Sequence, residues 1–144
     1  MSGKNASQPP AKRIGPILQG LQRAYPNATC SLNYRNPLEL LVATILSAQC
    51  TDALVNKVTP ELFKKYRTAK DYVAANAAQW ERDVSRVNFF RTKAKNIKAA
   101  CQTIVEEFGG KVPDRMEDLV TLPGVARKTA NVVLGNAYGK QEGI

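Results

Sequence analysis

The 144-residue sequence contains no histidine, one tryptophan and only three cysteines, Cys30, Cys50 and Cys101. Without histidine or closely spaced cysteine pairs, zinc-finger and haem-attachment patterns are excluded. Three scattered thiols with no apolar leader suit a reducing compartment, where each acts as a small buried hydrophobe. Long hydrophobic runs are missing as well. The most apolar stretch, Leu38 to Ala48, is too short to span a bilayer and carries Glu39, so no membrane association is expected and the protein is expected to be soluble and cytoplasmic. No segment sustains the period-two alternation of a half-buried strand, and the expected fold class is therefore all-α.

Acidic residues are missing from two whole segments, Met1 to Leu38 and Val84 to Val105, each of which holds five basic residues. Together they hold the whole excess of positive charge, since the rest of the chain is nearly balanced and the net charge is +9. A one-signed surface of this kind lies naturally along a phosphate backbone; the alternative is a solvated helix face. What the chain does have is a 44% hydrophobic composition, enough for one buried core without help from disulfides or metals.

Helix signals follow one another along the chain. Met1 to Arg13 reads as a disordered basic tail, and Ile14, Ile17, Leu18, Leu21 and Tyr25 form one stripe of an N-terminal helix over 14–28. A helical domain occupies 29–144. Asn36, Pro37 and Glu39 make a capping-box-like start for a helix through Ala48 that is apolar nearly all round and should lie at the centre. Thr51, Thr59, Thr68 and Asn76 mark further starts. Ala94, Ile97, Cys101, Ile104, Val105 and Phe108 define a longer amphipathic helix with Lys93, Lys95 and Lys98 on its outer face, ended by Gly109-Gly110. A short helix over Met116 to Thr121 precedes a last one running to about Leu134.

Between these two helices stands Leu122-Pro123-Gly124-Val125-Ala126, followed by Arg127 and Lys128. Proline and glycine force a tight turn, and the helix after it offers unpaired N–H groups and a positive dipole end. An oxyanion fits there: a nucleic-acid phosphate, or a phosphorylated metabolite.

The stretches Pro37 to Leu41, Ile45-Leu-Ser-Ala-Gln-Cys-Thr-Asp52, Lys93-Ala-Lys-Asn-Ile97 and Leu122-Pro-Gly-Val-Ala-Arg-Lys-Thr-Ala-Asn-Val-Val133 resemble the helix-hairpin-helix DNA glycosylases, and among them the endonuclease III family. The resemblance covers about Ile14 to Tyr138 and implies a six-helix barrel domain plus an N-terminal helix, with the helix-hairpin-helix at about 114–135. It implies a monomeric base-excision repair enzyme acting on double-stranded DNA. Such an enzyme flips an oxidised pyrimidine from the duplex, removes it, and cleaves the strand at the abasic site by β-elimination.

Carried over by position, the resemblance makes Lys128 the nucleophile. A lysine in the first turn of a helix, beside Arg127, feels two terms that favour the uncharged amine. The plainer alternative is a phosphate contact. Gln49 matches the glutamine that fills the gap left by the extruded base, where an amide can hydrogen-bond the orphaned partner. Phe89 matches the apolar wedge on the other side; one of Phe89 and Phe90 is expected to face the core. Asn88 stands where the family has glycine, and asparagine tolerates a left-handed turn. Leu122, Gly124, Val125, Ala126 and Arg127 are the expected hairpin contacts to DNA, Ala126 replacing a second glycine.

The family's catalytic aspartate belongs to a motif just beyond Ile144, and its [4Fe-4S] cluster needs four C-terminal cysteines and helices that this sequence does not include. The sequence is thus expected to be truncated and impaired in base excision, without cofactor, and with the stripe of its N-terminal helix uncovered. Two rivals stay open: a noncatalytic helix-hairpin-helix DNA-binding module, and an adenine-specific relative, against which Lys128 speaks.

Overall fold

A computed structural model describes residues 31–138, in which seven α-helices and no strand occur. They are α1 (Pro37–Ser47), α2 (Asp52–Lys65), α3 (Ala69–Ala74), α4 (Ala77–Asp83), α5 (Phe90–Glu107), α6 (Met116–Leu119) and α7 (Arg127–Ala137). The expected tail, the N-terminal helix and Cys30 lie outside the described residues.

Helix α1 is the central element. Leu40, Leu41, Val42, Ala43, Ile45 and Leu46 are all buried, and α1 packs against α2, α5 and α7. Its start is as expected in one half only. The Asn36 side chain accepts the Glu39 N–H at 2.9 Å, but the buried Glu39 carboxylate turns to the Arg35 N–H at 2.9 Å and to the Arg35 guanidinium at 2.6 Å. A buried carboxylate needs that charged partner more than the cap needs its second bond.

The other caps largely form where the residue types allow. Thr51 accepts the Leu54 N–H, Asn76 accepts the Gln79 N–H, and Asp71 takes the N–H of Thr68. Thr59 is the exception. It does not begin a helix, because α2 runs straight through Pro60, with Val55, Val58, Leu62 and Phe63 forming one buried stripe across it. Burial of that stripe outweighs the hydrogen bond lost at the proline.

Helix α5 is the second organising element, packing against α1, α3 and α4. Its expected basic face is corrected by the structure: only Lys95 is exposed. Lys98 donates to the carbonyls of Tyr72, Val73 and Ala75, closing the C-terminal end of α3 with a cation where the helix dipole favours one. Lys93 is 6% exposed and is engaged with the end of α1. The helix ends as expected: Gly110, at φ 84°, donates its N–H back to the Ile104 carbonyl at 3.0 Å.

Candidate DNA-binding and active site

The turn between α6 and α7 is shaped by Gly124, which has φ 78°. A side chain there would also collide with α5, since a Cβ would lie 2.8 Å from the Asn96 Cβ. Leu122 and Val125 are buried, and the Val125 N–H donates to the Leu122 carbonyl at 3.1 Å. These two expected DNA contacts therefore serve the turn from inside, seating it on the core. Gly124, Ala126, Arg127 and Lys128 are exposed.

Ala126 is the N-cap of α7 and provides no side-chain acceptor, so the first turn of the helix has no side-chain cap. Its free N–H groups and the two exposed cations at its first two positions, Arg127 and Lys128, suit an anion. One turn further on, Asn131 Oδ1 is a buried acceptor without a hydrogen-bond partner. Nothing in the sequence singled it out.

The second part of the site is the end of α1. Gln49 is exposed and holds left-handed backbone at φ 54°. Phe89, immediately before α5, does the same at φ 58° and is 65% exposed, while Phe90 is partly buried against the core. The expectation that one of the two phenylalanines faces inward thus holds for Phe90. The left-handed residue of this turn, however, is Phe89 and not Asn88. Asn88 uses its amide differently, donating from Nδ2 to the Gln49 carbonyl at 3.0 Å.

Helix α5 brings the two parts together. Lys93 holds the last carbonyls of α1, and Asn96, three residues on and on the same side of α5, abuts Gly124. A second bond fixes the direction of α7. The Tyr34 hydroxyl, just ahead of α1, donates to the Asn136 carbonyl near the end of α7 at 3.1 Å. With α1 and α7 packed together, they run antiparallel, and the end of α1 that leads into Gln49 shares a side with the start of α7 that carries Lys128.

The family model for the HhH-GPD superfamily base excision DNA repair proteins matches residues 42–142. The chain belongs to this family. Among its HhH-GPD relatives, an endonuclease III of Synechocystis is 57% identical over 92% of this chain, and one of Bacillus subtilis is 48% identical over 89%. The chain spans 61% and 58% of their lengths, about three-fifths of each. Among solved structures, a trapped endonuclease III–DNA covalent intermediate is similar at a TM-score of 0.76 and 51% identity, over 80% of this chain and 54% of that one. A thermostable thymine-DNA glycosylase is similar at a TM-score of 0.71 and 25% identity, over 82% of this chain and 52% of that one. The all-α helix-hairpin-helix fold of this family is the fold of the described residues.

The described residues do not fit an iron–sulfur cluster. Cys101 is buried in the core, where burial pushes its thiol up to about 12, and Cys50 is half-buried beyond α1. No three His, Cys, Asp or Glu side chains among the described residues come together as a metal site. No described helix is long and apolar enough to cross a membrane.

Proposed function

We propose that the protein acts on damaged pyrimidines and abasic sites in double-stranded DNA, in the bacterial cytoplasm, with Lys128 as the nucleophile. The observation that carries this reading is an exposed lysine in the first turn of an uncapped helix, on the same side of the molecule as the exposed Gln49. Exposed Gly124, Ala126 and Arg127 suit a backbone phosphate, and Leu122 and Val125 support them from beneath. Gln49 fills the gap left by an extruded base from one side of the duplex, and Phe89 wedges the stack from the other.

The chemistry follows from the amine. Its lone pair attacks the sugar C1′, the bond from C1′ to the base breaks, and the electron pair leaves with the base. Opening of the sugar ring gives an imine. Loss of a C2′ proton then expels the 3′ phosphate by β-elimination. At an abasic site the aldehyde is already electrophilic, so amine addition with loss of water reaches the same imine and needs less assistance than base excision.

Borohydride reduction on duplex DNA with one abasic site tests this. A covalent protein–DNA adduct is expected, and Lys128→Ala should reduce it to background. An equal adduct from the variant rejects Lys128, and binding without any adduct favours a noncatalytic DNA-binding module.

A further inference from the structure

Gln49 and Phe89 are the two non-glycine residues with left-handed backbone among those described, and both project from one edge of the molecule. Such backbone persists only where the surroundings over-determine it. Here the determinants form a continuous set of bonds. Asn88 Nδ2 donates to the Gln49 carbonyl, 39 residues away in sequence. Lys93 Nζ donates to the Leu46 carbonyl at 2.8 Å and to the Ala48 carbonyl at 2.5 Å, while its backbone N–H donates to the Phe89 carbonyl at 3.0 Å. Asn88 and Lys93, on either side of Phe89, are therefore both joined to the end of α1 and the Gln49 turn.

We propose that Asn88 is a positioning residue which, with Lys93, locks the Gln49 turn and the Phe89 turn into one clamp set before DNA arrives. Asn88 is exposed and could satisfy its amide with water, so burial does not require this bond. Its consequence is geometric. It fixes the spacing between a hydrogen-bonding side chain and an aromatic one, two groups that must enter the base stack together. Fixing them in advance removes the ordering cost from the binding step.

The proposal rests on the reading of Gln49 and Phe89 as the inserting groups, and the test separates the two. Affinity is measured for a duplex carrying a tetrahydrofuran abasic analogue and for the undamaged duplex, with the wild-type protein, Asn88→Ala, Gln49→Ala and the double variant. Asn88→Ala should lower the preference for the analogue about fivefold, the range of one lost hydrogen bond, and leave undamaged-duplex affinity and the thermal midpoint in place. The double variant should be no worse than Gln49→Ala, because Asn88 acts through Gln49. Losses that multiply, an unchanged preference in Asn88→Ala beside an impaired Gln49→Ala, or a drop in both affinities with the midpoint would overturn the clamp alone. A Gln49→Ala protein that keeps full preference removes the insertion reading and the clamp with it.

Discussion

Two regions of this small domain are built on opposite terms. Around α3 and α4, Tyr66 and Tyr72 stack at 4.9 Å, and Trp80 meets both edge-on at 4.9 and 5.1 Å. The polar tips of Trp80 and Tyr66 have partners: Trp80 Nε1 donates to the Ala94 carbonyl, and the Tyr66 hydroxyl donates to Asp83. At the edge formed by the end of α1, the start of α5 and the α6–α7 turn, the order is reversed. Two side chains sit on left-handed backbone, an aromatic ring faces water, and a helix starts without a side-chain cap. The first region is held by buried aromatic packing, and the second holds groups in conformations that give no stability by themselves. A protein can carry such an edge because its continuous buried core supplies the margin.

Four measurements would break or sharpen that contrast. Trp80→Ala should have the largest effect, about 3–5 kcal/mol in denaturant unfolding, since it empties a fully buried site and removes the indole's bond to the Ala94 carbonyl. A loss below about 1 kcal/mol would show that the aromatic cluster is not the anchor. Lys93→Met lies between the regions. Burial already lowers the affinity of this ammonium for its proton, and removing its donors leaves carbonyls at the end of α1 unpaired. About 1–3 kcal/mol of stability should be lost in thermal unfolding.

Phe89→Ala should be the mirror image of Trp80→Ala. Its stability should stay within about 0.5 kcal/mol of wild type, as for an exposed residue. Affinity for a duplex with an abasic analogue should fall by about 1–3 kcal/mol in a binding titration, the scale of one aromatic stacked on a base. A destabilised variant with unchanged binding would reassign Phe89 to the core.

The smallest effect expected is the acid response of the packed region. Burial pushes the Asp83 carboxyl up, but hydrogen bonds from Lys65, Tyr66 and Gln79 together outweigh it and hold the carboxyl below its ordinary value. Because the folded state binds that proton less readily than the unfolded chain, the contribution is present above the unfolded value of about 3.9 and is lost as pH falls through the lower folded value. Unfolding free energy between about pH 5 and pH 2 should therefore fall less steeply in Asp83→Asn than in the wild type.

Features set by neighbours in sequence are legible in the sequence alone. The side-chain caps at Asn36, Thr51 and Asn76 and the glycine stop at Gly110 are satisfied within a few residues, so residue type and spacing suffice. The roles of Lys93 and Lys98 are not legible in this way. Both sit at positions that local spacing assigns to an outer face, and both are claimed by carbonyls of helices that come close only in three dimensions. The turn at Phe89 shows the same division: a left-handed residue near Asn88 follows from the sequence, but which residue takes it depends on the Asn88 amide finding the Gln49 carbonyl.

The sequence by itself determined that this is an all-α chain of short capped helices with a Pro-Gly turn leading into Arg127 and Lys128, because propensity, caps and turns act over one helical turn. Only the tertiary structure decided that the Gln49, Phe89 and Lys128 turns meet along one edge and that two of the five basic residues of the 84–105 segment are tied to carbonyls inside the fold. Burial and charge pairing join residues dozens of positions apart, and a linear pattern does not contain those distances.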